Sequence, residues 1–268
     1  ATGLSAENNA NVGSVVGSRV GGDVKNTTVS GAVIQAATGL SAKNNANVGS
    51  VVGSRVGGDV KNTTVSGAVI QAATGLSAKN NANVGSVVDS RVGGDVKNTT
   101  VSGAVIQAAT GLSAKNNANV GSVVGSQVKG DVKNVTVSGA VIQSATGLSA
   151  ENSANIGTVA GSKVGGDVKN VTVSGAVIQS ATGLNAKNAA NVGSVVGSNV
   201  KGSVKNVTVS GAVIQAATGL NAKNEASVGS IVNSSVAKDV KNVTVSGATI
   251  QSATGLNAKN DVTVGGVK

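Results

Sequence analysis

The first regular feature of the chain is an alternation of constant and variable positions. Small, apolar and amide residues sit two apart near the start of the chain, at Leu4, Ala6, Asn8, Ala10 and Val12. Their counterparts further along the chain barely change, whereas the odd positions between them do. A period of two with one tolerant side is typical of a half-buried β-strand. We therefore predict a strand here, with its even-numbered side chains pointing inward.

The pattern recurs along the whole chain. The tetrad ATGL begins at residues 1, 37, 73, 109, 145, 181, 217 and 253, so the spacing is 36 residues each time. This gives seven full repeats over residues 1–252 and a partial eighth over residues 253–268, which we treat as a single continuous domain. Tandem repeats of about 20–50 residues are typical of solenoids.

Each repeat divides into two similar halves. Asn8 aligns with Asn26, and Gly13 aligns with Gly31, at an offset of 18 residues. Val, Ile and Thr favour strands, while Gly, Asn, Asp and Ser favour turns. The sequence thus predicts an all-β parallel β-solenoid with ~18-residue coils, two per repeat and about 15 in the chain. Coils stacked at ~4.8 Å would form a rod ~70 Å long.

The orientation of the second half of each repeat follows from the same parity. It predicts that Thr28 and Ser30 point inward, while Val29 and position 27 point outward. Outward valines would form an apolar strip for lateral packing of one solenoid on another. With the opposite parity, Thr28 and Ser30 would form an outward hydroxyl-bearing face. The candidate lateral-packing strip is Val29, Val135, Val137, Val171, Val173, Val207, Val209, Val243 and Val245.

Asparagine occupies equivalent places in both halves of the repeat. Stacked amide side chains can hydrogen-bond along such a column. Asparagine can also simply take a left-handed corner. The candidate stacking column comprises Asn8, Asn26, Asn44, Asn62, Asn80 and Asn98. Position 17 of the repeat holds Gly17, Asp89 and Asn233, which all tolerate positive φ, so a left-handed corner is predicted there.

Composition limits the classes of function that the chain can have. The chain has no Phe, Trp, Tyr, Met, Cys, Pro or His and contains 39 glycines, so its core must be thin. Without His and Cys, the commonest metal ligands and general bases are missing. We expect a protein that is not an enzyme and that needs no cofactor or metal. No apolar run of ~18 residues occurs, so no membrane-spanning helix is expected.

The charged residues are concentrated at one position of the predicted coil. Formal net charge is +10, and 13 of the 18 lysines fall at position 7 of a half-repeat. One hypothesis is a cationic stripe that binds an anionic polysaccharide or surface. The alternative is a solvated edge that blocks wrong strand pairing. Nucleic acid is disfavoured, because no aromatic side chain could stack on bases. The column comprises Lys25, Lys43, Lys61, Lys79, Lys97, Lys115, Lys133, Lys169, Lys187, Lys205, Lys223, Lys241 and Lys259.

The near-identical repeats resemble those of bacterial secreted repeat proteins. That group includes surface adhesins and biofilm functional-amyloid subunits. The residues that carry the resemblance are the asparagines Asn8, Asn26 and Asn44, the constant Gln35 and the glycine corners. The resemblance implies an extracellular or cell-surface location and either self-assembly or surface binding. Our leading hypothesis is a structural protein that forms a fibre, biofilm matrix or adhesive appendage as a homopolymer. The start of the chain shows no cap, which favours end-to-end polymerisation.

A second hypothesis is ice binding. The segment NTTVSG at residues 26–31 is similar to segments of grass ice-binding β-rolls. Hydroxyl groups in two regular outward rows would carry this function. It ranks lower because the first half of each repeat offers Ala10 and Val12 instead, which would leave every second coil blank. The candidate ice face is Thr28, Ser30, Thr64, Ser66, Thr100 and Ser102.

Overall fold

The computed structural model describes residues 1–266, which form an all-β parallel β-solenoid of about seven turns. Neighbouring strands run parallel, and each residue pairs with the residue 36 positions away, as Ser5 does with Ser41. One coil therefore takes 36 residues, so the prediction of ~18-residue coils and about 15 coils was wrong. The two halves of a repeat do not stack on each other, because both lie within the same coil. Seven coils at ~4.8 Å give a stack about 34 Å long rather than ~70 Å.

Four parallel sheets run along the stack, and we number them in the order in which the chain enters them. Sheet 1 consists of Ser5–Val12, Ser41–Val48, Ser77–Val84, Ser113–Val120, Ser149–Ile156, Asn185–Val192, Asn221–Val228 and Lys259–Val264. Sheet 2 consists of Val15–Val16, Val51–Val52, Val87–Val88, Val123–Val124, Val159–Ala160, Val195–Val196 and Ile231–Val232. Sheet 3 consists of Arg19–Val20, Arg55–Val56, Arg91–Val92, Gln127–Val128, Lys163–Val164, Asn199–Val200 and Ser235–Val236.

Sheet 4 contains the longest strands. It is formed by Val24–Lys25, Thr28–Thr38, Val60–Thr74, Val96–Thr110, Val132–Thr146, Val168–Thr182, Val204–Thr218, Val240–Ser246 and Thr249–Thr254. Each long strand is bent at a glycine equivalent to Gly31, whose φ of +117° lies in a region that L side chains rarely adopt. Beyond this bend, the strand runs opposite sheet 1 of the same coil.

Side-chain hydrogen bonds join sheet 1 to the far part of sheet 4. The Asn44 Nδ2 amide donates to the backbone oxygen of Ala72 at 2.6 Å, and the Gln35 Nε2 amide donates to the backbone oxygen of Asn45 at 3.0 Å. These amide rows divide the interior into two apolar clusters. A valine-rich cluster fills the lobe enclosed by sheets 2, 3 and 4 and by the last residues of the sheet 1 strands, such as Ala46 and Val48. An alanine-only cluster, including Ala6 and Ala42, fills the narrow end between sheets 1 and 4. The interior is thin, as the composition requires.

The second half of each repeat has the parity opposite to the one predicted. Val65 is 2% exposed and Thr63 is 3% exposed, whereas Thr64 lies at the surface. The proposed outward strip is therefore core: Val29, Val135, Val137, Val171, Val173, Val207 and Val209 are buried, and Val243 and Val245 are half-buried in the last coil. The backbone reaches this strand through a left-handed residue, Asn26 with φ of +56°, which shifts the alternation by one.

The first half of the repeat follows its predicted parity except at the start. Ala42, Asn44, Ala46 and Val48 are buried, as the alternation predicts. Leu4 and its equivalents were expected inward, but they lie at the corner between sheets 4 and 1 and are exposed, with Leu76 53% exposed. The predicted left-handed corner at position 17 is present, because Gly17, Asp89 and Asn233 all have positive φ.

Candidate interaction surfaces

Residues spaced by 36 form columns along the stack, and each column is named here after its member in the first repeat. The 36-residue register separates the lysines into two columns on different faces. Lys25 pairs with Lys61 in sheet 4, while Glu7 pairs with Lys43 in sheet 1. The single column of 13 lysines predicted from the sequence was therefore wrong. The Lys25 column holds Lys25, Lys61, Lys97, Lys133, Lys169, Lys205 and Lys241; the Glu7 column holds Lys43, Lys79, Lys115, Lys187, Lys223 and Lys259 with Glu7 and Glu151.

The Lys25 column is largely neutralised by aspartates two residues earlier. Ion pairs join Lys61 to Asp59 at 2.5 Å and Lys25 to Asp23 at 2.8 Å, and the same pairing recurs at Lys97, Lys133, Lys169 and Lys241. The Lys61 ammonium and the backbone N–H of Asp95 hold the pKa of the Asp59 carboxyl below its ordinary value. A column already paired with carboxylates is a weak site for a polyanion.

These aspartates also connect successive coils. The backbone N–H of Asp59 donates to Oδ1 of Asp23 at 2.8 Å, and that of Asp95 donates to Oδ1 of Asp59 at 2.7 Å. One carboxylate oxygen thus accepts a bond from the next coil while the other faces a lysine of its own coil. This arrangement gives the aspartates a structural role in stacking.

The asparagine column that the sequence predicted divides into two separate ladders. Asn44 donates to Oδ1 of Asn80 at 2.9 Å in a buried ladder that includes Asn8. Asn62 donates to Oδ1 of Asn26 at 2.9 Å in a second ladder at the surface. The residues of the second ladder all have positive φ, so here asparagine serves both as a ladder and as a left-handed corner. Asn62 and Asn98 belong to the second ladder.

Glutamine forms a second deeply buried polar ladder. The Gln107 Nε2 amide donates both to Oε1 of Gln71 at 2.8 Å and to the backbone oxygen of Asn117 at 2.9 Å. Gln143 and Gln179 repeat this pattern, each about 1% exposed. At the last rung, Oε1 of Gln251 is buried and has no hydrogen-bond partner in the described residues.

The candidate ice-face residues lie at the surface of sheet 4. Thr28, Thr64 and Thr100 are exposed, and Ser66 and Ser102 are partly exposed. Because a coil takes the whole 36-residue repeat, these hydroxyl groups occur in every coil along sheet 4, and no coil lacks them. The Thr28 and Ser30 columns are the same residue type in all seven full repeats.

Sequence reasoning missed an apolar facet next to these hydroxyl rows. On the outer side of sheet 4, beyond the bend at Gly31, stand the columns of Ala32, Ile34, Ala36 and Thr38. Ile142 is 37% exposed, and the Leu4 column borders the same side. Residues 26–42 and their equivalents carry no charged side chain. That uncharged stretch was the signal in the sequence from which this facet could have been found.

Within residues 1–266, no group of three or more acidic side chains is placed to hold a metal ion, and no helix is long and apolar enough to cross a membrane. The described chain is thus a parallel β-solenoid whose distinctive surfaces are repeated columns rather than one pocket. Comparison with protein-family models, with curated proteins and with solved structures finds no match.

Proposed function

We propose that the chain is a non-enzymatic structural protein, extracellular or at the cell surface, that self-assembles into fibres or matrix through the edges of its coils. The supporting observation is that the end coils expose groups which internal coils bury. Val240 is 38% exposed, while Val204, one coil earlier, is 1% exposed. Likewise, Val12 is 39% exposed and Val48 is 5% exposed. An added coil covers these valines, and hydrophobic burial favours that contact.

The ladders make one coil equivalent to the next. Each coil binds its neighbour through the same backbone pairs and the same amide bonds, so a coil of another copy meets the same groups. The unpaired Oε1 of Gln251 accepts one more amide in such a contact. At the opposite end of the described stack, the Gln35 Nε2 amide donates to the backbone oxygen of Asn45.

The half-filled last layer allows a sharp experiment. Within residues 1–266, sheet 1 has eight strands and sheets 2 and 3 have seven, so residues 253–266 leave this end of the described stack uneven. A variant ending at Ser252 presents all four sheets at one level. Negative-stain electron microscopy is expected to show filaments from both chains, with longer filaments and faster growth for the variant. Single rods about 34 Å long from both chains, at low and high salt, would contradict the proposal.

Ice binding is a second candidate, supported by the hydroxyl rows on every rung of sheet 4. Within each row the hydroxyl groups recur every ~4.8 Å along the stack, and the two rows lie ~6.7 Å apart along each strand. If these rows bind ice, the double variant Thr100→Lys, Thr172→Lys loses thermal hysteresis, while Asn81→Lys, Ser153→Lys on the outer side of sheet 1 retains it. The wild-type chain showing neither thermal hysteresis nor inhibition of ice recrystallisation would eliminate this candidate.

A further inference from the structure

The outer side of sheet 4 beyond Gly31 carries no charged side chain in any full repeat. We name it the alanine–isoleucine facet and define it by the columns of Ala32, Ile34, Ala36 and Thr38. From its shape and chemistry, we propose that this facet pairs with the same facet of a second copy. The proposal rests on the proposed self-assembly and adds a lateral contact to the contact between coil ends.

The isoleucines of the facet are exposed, yet they do not vary among the repeats. The facet carries isoleucine in all seven full repeats. Ile106, Ile142 and Ile178 are 36–38% exposed because they face away from the core. The outward Asn9 column in sheet 1 provides a comparison within the same chain. It changes to Ser153, Ala189, Glu225 and Asp261. The repeats have thus diverged at one outer face, while the isoleucines at the other have stayed constant without any demand from core packing.

The shape of the facet surface is complementary to the same facet of a second copy. A column of large isoleucines runs between two columns of small residues, at Ala32 and at Ala36, where serine replaces alanine at Ser144, Ser180 and Ser252. The isoleucine ridge of one copy can therefore lie in the small-residue groove of the other. Dry interdigitation of this kind joins paired sheets with identical repeats. A two-fold axis makes such a contact self-complementary.

Periodicity and charge also favour a second copy over other partners. The ridge places an isoleucine every ~4.8 Å, and another solenoid with the same coil meets it at every rung. The chain carries a net charge of +10, yet residues 26–42 of each repeat contribute none of it, so like charges do not face each other across the contact.

The size is sufficient for a stable pair. About six residues along the strand and seven coils give a footprint of about 700 Å². Standard stable interfaces bury about 800 Å² per partner, and the bordering leucines such as Leu112, 52% exposed, extend the apolar area.

The test compares two triple variants of the full chain that add the same charge. Ile106→Lys, Ile142→Lys, Ile178→Lys places three lysines on the facet, whereas Asn81→Lys, Asn117→Lys, Ser153→Lys places three in the same coils on the opposite face. Sedimentation of the wild type and the control is expected to give species of twice the 25.4 kDa chain mass, and filaments two solenoids wide. The facet variant should weaken pairing by about 100-fold or more and give single-width particles.

A second pair of variants keeps the test valid if the facet variant misfolds. The chain has no cysteine, so Ser144→Cys on the facet and Asn117→Cys on the opposite face each introduce a single thiol. Mild oxidation should cross-link copies only through residue 144.

Filament width and filament length separate the two proposals. Long filaments of single width overturn facet pairing and leave end-to-end assembly standing, whereas paired rods that never elongate overturn only the latter. Equal pairing in both triple variants overturns facet pairing. Single rods that lose ice binding in the facet variant alone would assign the facet to ice and overturn pairing.

Discussion

At the scale of single residues, glycine decides where the coil can bend. The Gly31 column has φ between +117° and +136°, a region open to glycine. A Cβ at Gly139 would lie 1.7 Å from the backbone oxygen of Gly103 in the previous coil. These glycines are therefore required both by φ and by the close approach of stacked backbones. By contrast, Gly161 at the position 17 corner has open space around its missing Cβ.

The first prediction contrasts these two glycines. Gly139→Ala should destabilise the solenoid by roughly 3 kcal/mol or more, because the methyl group collides with a carbonyl that cannot move without breaking the stack. Gly161→Asn should cost less than about 1 kcal/mol, since Asn233 already occupies the equivalent corner with φ of +48°. Guanidinium unfolding followed by circular dichroism checks both. Equal losses would show that φ, not the close backbone contact, sets the requirement.

At the scale of elements, the strands are joined as much by side-chain ladders as by backbone pairs. The buried glutamine ladder bonds successive coils of sheet 4 and also reaches across to sheet 1. Buried amides stabilise only when all partners are present, because a donor or acceptor left alone in the interior loses its hydration without compensation. The surface asparagine ladder, including Asn134, makes the same kind of bond where water can replace it.

The second prediction tests this difference between the ladders. Gln143→Leu removes the donor to Oε1 of Gln107 and to the backbone oxygen of Ser153. It should cost about 2–4 kcal/mol in the free energy of unfolding. The matched change Asn134→Gly keeps a residue that tolerates φ of +55° and removes only exposed bonds, so it should cost about 1 kcal/mol or less. Chemical denaturation measures both variants, and a Gln143→Leu variant as stable as the wild type would refute a structural role for this ladder.

At the scale of the whole molecule, the outer side of sheet 4 beyond Gly31 is uncharged, while charged columns lie on sheet 1, on sheet 3 and on the first part of sheet 4. The aspartates paired with the Lys25 column repeat along the stack, so their protonation acts on many coils together. The pKa of Asp167 is lowered, first by the hydrogen bond from Lys169 and next by the backbone N–H of Ser203. A carboxyl whose pKa is lower in the folded state adds stability above its unfolded pKa, and that stability is lost as pH falls through the folded pKa.

Because the pKa of these aspartates is lowered in the folded state, the third prediction is that acidification destabilises the solenoid. The melting temperature should stay constant from about pH 7 to about pH 5 and fall as the pH drops below about 4, where these aspartates take up protons. A variant with Asp59, Asp95 and Asp167 all changed to Asn should melt lower at neutral pH and show a smaller acid-dependent fall. A melting temperature of the wild type that rises on acidification would contradict the stabilising role of the ion pairs.

Much of the local structure could be predicted from the sequence. The alternation in Ala42, Asn44 and Ala46 correctly gave the inward face of sheet 1, because parity along one strand is a local property. Parity in the second half failed at Asn26, since a residue with positive φ interrupts the alternation and the sequence left open whether Asn26 takes a left-handed corner. The exposed isoleucines were missed because Val33 and Ile34 are adjacent, and only the fold shows that Val69 is buried while its neighbour faces out.

The sequence by itself determined the 36-residue repeat, the β class and the parallel solenoid, because repetition and residue preference are written in the order of the residues. Only the tertiary structure decided that a coil takes the whole repeat. Similar halves show that both contain strands and corners, but stacking depends on where the path closes. Closure pairs residues 36 apart, which splits the lysines between two faces. Strand register is a non-local property, so no local pattern could fix it.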